Sequence, residues 1–357
     1  MTALRFSGPV LPTGEPAELY VVGGEVTYER QPGAESVAEG WIVPGLVDAH
    51  CHIGLDAHGA TTDEQAEAQA IADRDGGALL IRDAGSALDT RWVQEREDLP
   101  RLIRCGRHVA RSKRYIRNYA HEVEPAELAA YAAQEAQHGD GWIKLVGDWV
   151  SREEGDLMPS FPAEAFAAAI EAAHEHGAKV TAHCFGEHVL PGLIRAGIDC
   201  IEHGTGLSTD LIDEMVARGT ALVPTVMQTD KFPEYVAAGA ERFPVYSRHM
   251  DDLYRRRREV IMAAHAAGVA MYAGSDGGGV SAHGNIAGEV IAMHEMGLPA
   301  SDALGAASWR ARAWLGWNAT LDEGAPADFV VYPRNPLDDL GVLREPTAVV
   351  LRGRRVG

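Results

Sequence analysis

Two histidines, His50 and His52, close the apolar run WIVPGLVDAHCH. On an extended strand a spacing of two puts both imidazoles on one face, where their neutral nitrogens can grip a single cation. The pair alone is weak evidence, but its context recurs: His183 ends KVTAH, His203 ends DCIEH and Asp276 ends MYAGSD. Imidazole nitrogens together with a carboxylate suit zinc, with manganese or cobalt as substitutes. Lys144, in GWIKLVGD, is the odd member, an amine among Trp142, Ile143, Leu145 and Val146. A buried ammonium is costly. Three resolutions are open: a lowered pKa, an ion pair, or carbamylation by carbon dioxide to an anionic oxygen ligand.

Residues so far apart in the chain meet only if the strands that carry them share an edge. From Trp41 onward, short apolar segments ending in polar residues alternate with Ala- and Glu-rich stretches of helical period, which is the pattern of βα units. WIVPGLVDAH, GALLIRDAG, GWIKLVGD, AKVTAHC, GIDCIEHG, TALVPTV and VAMYAGSD read as strands, and PRLIRCGRHVA as another. PAEAFAAAIEAAHEHG reads as a helix that stops on Gly177, where a left-handed cap belongs. The fold class predicted is α/β, a (β/α)8 TIM-type barrel whose C-terminal strand edges all open onto one rim. No GxGxxG follows the first strand, so a dinucleotide fold loses its main support. The first forty or so residues and the closing ADFVVYPRNPLDDLGVLREPTAVVLRGRRVG share a texture of short β-like runs with Gly and Pro turns. The two ends, 1–43 and 321–357, are expected to form one small β-sandwich domain of antiparallel strands beside a barrel over 44–320. The long segment from Met227 to Val260, after TALVPTV, is expected to act as a lid.

Composition narrows the partners. The 357 residues include 32 Lys and Arg against 52 Asp and Glu, a formal charge of −20 that repels phosphate backbones and argues against nucleic acid. No stretch approaches the ~20 apolar residues of a membrane span, and the opening MTALRFSGPVLPTGEP lacks a basic stretch followed by an apolar core. The expectation is a soluble, cytoplasmic protein acting on a small molecule, with no membrane partner and with self-association into a homo-oligomer left open. Four cysteines without a CxxC pair fit a reduced compartment, and Cys51 and Cys184 read as packing residues. One segment opposes the acidic trend: Arg101 to Arg117 carries Arg104, Arg107, Arg111, Lys113 and Arg114 and no acid. It reads either as a solvated loop or as an anchor for an anionic substrate group.

PGLVDAHCH, GWIKLVGD, KVTAHCFGEH, DCIEHGT, AGSDGGGVSAHGN and GAPADFVVYPRNPLDD together resemble the amidohydrolase superfamily, specifically its binuclear branch with a carboxylated lysine. The likeness runs over nearly the whole chain and is nearest to prolidase and metal-dependent carboxypeptidases, with imidazolonepropionase-like and ochratoxin-hydrolysing enzymes alongside. The resemblance implies two divalent ions, zinc by preference. One would be bound by His50, His52, Lys144 and Asp276, and the other by Lys144, His183 and His203, with Lys144 a carbamate and a hydroxide bridging the two. It also implies that Asp276 is the general acid and base of amide hydrolysis. Where the family carries a Gly- and Pro-rich piece with a histidine, this chain has ARSKRYIRNYAHEV. That departure points to a changed specificity, with Arg111, Arg114, Arg117, Tyr115 and His121 as candidates for holding a substrate carboxylate and His283, in SAHGN, as a further contact. His58, His108, His138, His174, His176, His188, His249, His265 and His294 read as surface or packing residues. Competing readings are a mononuclear deaminase or cyclic-amide hydrolase that dispenses with the lysine, a lactone or phosphotriester hydrolase, and a non-catalytic metal-binding scaffold.

Overall fold

The structure, a computed structural model, describes residues 3–356. Its central strands are buried along their whole length: Leu46–Cys51, Ala78–Asp83, Trp142–Val146, Cys200–His203 and Ala221–Val223 leave no residue exposed. Continuous burial, rather than alternation, belongs to parallel strands covered on both faces by helices. Here it also means that every charged residue in these strands is desolvated.

Two parallel sheets hold them. Leu46–Cys51, Ala78–Asp83 and Arg101–Arg104 pair in that order, while the second sheet runs His121–Val123, Val109–Arg111, Trp142–Val146, Lys179–Cys184, Cys200–His203 and Ala221–Val223. The expected strand VAMYAGSD makes only isolated bridges, Leu222 to Met271 and Cys51 to Gly277. Its hydrogen bonds are divided between neighbours: Ala49 N–H donates to Ala273 O at 2.9 Å and Leu222 N–H to Ala270 O at 2.9 Å. Asp276, at φ +51, then turns out of extended geometry. The segment therefore links the last strand of the larger sheet to the first strand of the smaller one without a ladder of its own. PRLIRCGRHVA supplies two strands rather than one, Arg101–Arg104 and Val109–Arg111, one in each sheet.

Helices between the strands follow from local chemistry. Asp63–Asp75 starts with a reciprocal capping box between Thr62 and Gln65, which satisfies two of its free N–H groups. Ala163–Glu175 buries Phe166, Ala169, Ile170 and Ala173 on one stripe, and Gly177 beyond it adopts φ +73 as the sequence predicts. The Met227–Val260 segment is helical, as Val226–Thr229, Phe232–Gly239 and the first part of Pro244–Ala267.

An eight-stranded sheet joins both ends of the chain: Phe329–Tyr332 lies antiparallel between Trp41–Pro44 and Ala348–Leu351. Leu4–Val10 pairs antiparallel with Glu15–Val22 but parallel with Glu35–Glu39, because the chain crosses back after Glu25–Thr27 before re-entering the sheet. Phe6 and Phe329 meet edge to face at 4.8 Å in a core with Leu19, Val21 and Ile42. Among the described residues no helix is long and apolar enough to cross a membrane.

Candidate active site

Strand ends bring His50, His52 and Asp276 together. His50 Nε2 and His52 Nε2 are 3.2 Å apart, and Asp276 Oδ1 is 3.2 Å from each. His52 Nδ1–H donates to Gly85 O at 2.8 Å, so its Nε2 presents a lone pair to the other two atoms. Three electron-rich atoms this close repel unless a cation or proton lies among them, and ligands ~2.0–2.2 Å from one ion stand at about this spacing. The three form a group able to hold a metal ion.

A second pair faces them. His203 Nε2 is 2.9 Å from His183 Nδ1. Thr225 Oγ donates its proton to Pro224 O and lies 2.6 Å from His203 Nδ1, so Nδ1 is the protonated nitrogen and Nε2 again carries the lone pair. His183 Nε2 and His50 Nδ1, both buried, have no hydrogen-bond partner among the described residues. Burial, aided by the Lys144 charge, drives His50 well below the ordinary histidine range and His183 to about 3. Both are therefore neutral at pH 7, the form that binds metal. Burial would raise Asp276, but His50, His52 and His203 around it hold the carboxyl well below the usual carboxylate range.

Lys144, 1% exposed, contacts Glu202 Oε2 directly. Glu202, fully buried, also receives Arg82 Nη2 at 3.1 Å and the Thr181 hydroxyl at 2.8 Å through Oε1. Burial lowers Lys144 to about 8 although Asp276 pulls it up. Of the three resolutions open for this lysine, the ion pair is present and the pKa is lowered as well. Sequence reasoning passed over Glu202, although a carboxylate inside the apolar DCIEH run was the available signal.

The backbone is held under strain here. His203 (φ +66), Thr225 (φ +43) and Asp276 (φ +51) are three of six described non-glycine residues with positive φ. Such conformations persist where surrounding structure over-determines them, as at binding and catalytic sites. Asp48 supplies part of that structure: it accepts from His50 N–H at 3.1 Å and Ser275 N–H at 3.0 Å, tying the first strand to the Asp276 turn. Gly274 is required in the same joint, because a Cβ there would lie 2.5 Å from His50 Cβ.

Above these groups opens a cavity of about 330 Å³. Its walls are aromatic, with Tyr115, Tyr119, Trp149, Phe185, Tyr235 and Tyr246, and Ile116 and Val280 stand at its edge, the latter 71% exposed. Of the residues expected to meet substrate, only Tyr115 lines it. Arg111 pairs with Glu124 at 2.7 Å, Arg114 donates to Pro159 O at 3.0 Å, and Arg117 is exposed away from the cavity wall. His121 binds Glu135 at 3.1 Å beside a separate, polar cavity, and His283 turns its Nδ1 to buried Asp73 at 2.8 Å. The part of the basic run after Val109–Arg111 is a loop in which Arg114 reaches a backbone acceptor and Arg117 faces solvent, while Tyr115 and, just beyond, Tyr119 turn into the cavity. His108, read as a packing residue, is fully buried and stacks on His52 at 5.0 Å, with neither ring nitrogen partnered among the described residues.

Comparison with known proteins agrees with this geometry. The model of the amidohydrolase family matches residues 41–356. A protein of Mycobacterium tuberculosis strain H37Rv, described only as uncharacterized, is 51% identical over 99% of this chain and 96% of its own length. An ochratoxinase of Aspergillus niger is 27% identical over 58% of this chain and 43% of its own. Among solved structures, a Xaa-Pro dipeptidase with methionine bound in its active site superimposes with a TM-score of 0.83 at 21% identity, covering 99% of both chains.

Proposed function

The chain belongs to the amidohydrolase family and is an enzyme acting on carbon–nitrogen bonds, and from that premise we propose that it hydrolyses an amide bond of a small molecule with two divalent ions. One observation carries the reading: four imidazoles and a carboxylate converge at the floor of an apolar cavity, three of their ligand atoms within 3.2 Å of one another. His50, His52, Lys144 and Asp276 would hold one ion and Lys144, His183 and His203 the other, zinc being favoured by this donor mixture. Such ions supply Lewis acidity and bring water's ionisation into the neutral range. Asp276, kept ionised by its histidine neighbours, would take a proton from the attacking water and pass it to the leaving amine. The aromatic walls exclude bulk water and position the substrate. Lys144 would serve as a bridging carbamate. When its ammonium is lost Glu202 Oε1 keeps Arg82 and Thr181, and Oε2, which met the ammonium, has only the remaining N–H of the modified lysine. We read Leu46–Cys51, Ala78–Asp83, Arg101–Arg104, Trp142–Val146, Lys179–Cys184, Cys200–His203, Ala221–Val223 and residues 269–276 as the eight strands of one closed (β/α)8 barrel over 44–320, and the two ends of the chain, 1–43 with 321–357, as a small β-sandwich domain.

Lys144→Ala tests the mechanism. The expected outcome is loss of turnover by about 10³-fold or more, with metal content by plasma emission falling from two ions per chain to one or none. Full activity with unchanged metal would overturn it. One observation favours a second reading: the Lys144–Glu202 pair is what an unmodified lysine makes. A mass spectrum without the carbamate increment, together with a single bound ion, would assign the chain to mononuclear chemistry, as a deaminase or cyclic-amide hydrolase.

A further inference from the structure

Among the described residues two groups of three histidine, cysteine or carboxylate side chains are close enough to hold a metal ion: His50, His52 and Asp276 at the floor, and Cys51, Asp73 and His283. In the second group the sulfur, a carboxylate oxygen and a ring nitrogen lie within 4.8 Å of one another. Three elements supply them. Cys51 ends the strand Leu46–Cys51, Asp73 lies in the last turn of the helix Asp63–Asp75, and His283 belongs to the loop that leaves Asp276. Side chains alternate along a strand, so Cys51, read from the sequence as a packing residue, points away from the face shared by His50 and His52. Its sulfur belongs to a separate site, and water barely reaches it: Cys51 is 0% exposed, Asp73 1%, and the His283 side chain 5%.

The surroundings call for a cation. The charges of Asp48, Asp73 and Asp83, all buried, reach both Cys51 and His283. Asp48 and Asp83 are met by backbone N–H groups and the Ser275 hydroxyl, and Asp73 by Gly284 N–H at 2.6 Å and His283 Nδ1–H at 2.8 Å. Among the described residues none of the three carboxylates pairs with a lysine or arginine. Asp73 also opposes its own helix, whose C-terminal end favours positive charge. His283 is incompletely matched: Asp73 alone holds the ring, and Nε2 is buried without a partner among the described residues, a state that is costly unless something binds there. Thiolate, imidazole and carboxylate suit zinc, whose ligand atoms stand about 3.5 Å apart, with water in the fourth position. Thiolate and carboxylate together balance the two charges of the ion. To bind, it must displace one proton from the thiol and another from His283, which Asp73 holds toward its charged form although burial opposes this. The floor imidazoles His50 and His183 are neutral already, so the floor fills first.

We propose that Cys51, Asp73 and His283 form an additional, weaker site for a thiophilic divalent cation, filled after the floor and tying the strand of His50 and His52 to the loop that follows Asp276. Cobalt(II) is the probe, titrated into the full chain after its resident metal has been removed. Cobalt bound by imidazole and carboxylate absorbs in the visible, whereas a charge-transfer band in the near ultraviolet needs a sulfur ligand, which the floor does not offer. The visible bands are expected to rise first and the near-ultraviolet band to follow as cobalt is added in excess. Cys51→Ser removes the second band and leaves the first, while His283→Gln and Asp73→Asn each raise the cobalt concentration needed for it at least tenfold. Circular dichroism checks that each variant is folded, and the last two carry the test where Cys51→Ser does not fold. Absence of the near-ultraviolet band in the folded wild type overturns the proposal. So does a band that persists in Cys51→Ser, which would assign it to Cys105, Cys184 or Cys200, or one unchanged in both His283→Gln and Asp73→Asn. No turnover is measured, so the outcome is independent of the amide-hydrolase reading.

Discussion

The floor and the mouth of the cavity are built on opposite principles. At the floor, polar groups are buried, mutually paired and carried by strand ends: Lys144, Glu202, Arg82, Thr181 and Asp48 leave almost no freedom to His50, His52 and Asp276. At the mouth, aromatic rings from separate loops and helices meet with few polar contacts, and Ile116 and Val280 face solvent. A dense network fixes a geometry at which small displacements matter, whereas an apolar wall tolerates exchange of similar volume. Chemistry and selectivity can therefore change independently in this molecule.

Experiments can break that contrast or sharpen it. Removing metal with a strong chelator should abolish turnover altogether, with zinc restoring it, and activity that survives complete demetallation would remove the floor's special status. Asp276→Asn should lower kcat by roughly 10³-fold with KM little changed, as loss of a proton-transfer group does; steady-state kinetics read both. Glu202→Gln touches no substrate, yet it should destabilise the fold by ~3–5 kcal/mol by leaving Arg82 and Lys144 without their shared anion. Thermal unfolding of the metal-free protein checks it, and an unchanged Tm would mean that the floor's charges are not coupled. At the mouth, Trp149→Ala should raise KM about tenfold and leave kcat within a factor of about three, the cost of one lost aromatic wall. Arg114→Ala and Arg117→Ala should change kcat/KM by less than about twofold, since neither side chain lines the cavity.

The same contrast governs what the sequence disclosed. The convergence of His50, His52, His183, His203 and Asp276 was legible because each ends an apolar run, and parallel strands share one edge. Lys144 was visible as an anomaly, but its partner was not. Glu202 pairs with it through strand order, Trp142–Val146 beside Lys179–Cys184 beside Cys200–His203, and that order has no local signature. At the mouth, of the two readings left open for the basic run, the anionic anchor finds no arginine in the cavity wall. Arg111 and Arg114 have acceptors of their own in Glu124 and Pro159, and only tertiary structure shows that Tyr115, Tyr119, Trp149, Tyr235 and Tyr246 share a wall. Lys231 carries no motif at all. Its one side-chain hydrogen bond goes to Ser281, fifty positions away, on the turn that follows Asp276.

The strand Phe329–Tyr332, seated between Trp41–Pro44 and Ala348–Leu351, sets a timetable for biosynthesis. The strands from Leu4–Val10 to Trp41–Pro44 are synthesised well before Phe329–Tyr332, so for that interval their sheet lacks an inner strand. Throughout that interval Phe6, Leu19 and Ile42 have no Phe329 to pack against, and an unpaired strand edge is open to other chains. Closure of the N-terminal sheet thus waits on Phe329–Tyr332, and a chain cut before Phe329 leaves Trp41–Pro44 without its antiparallel partner.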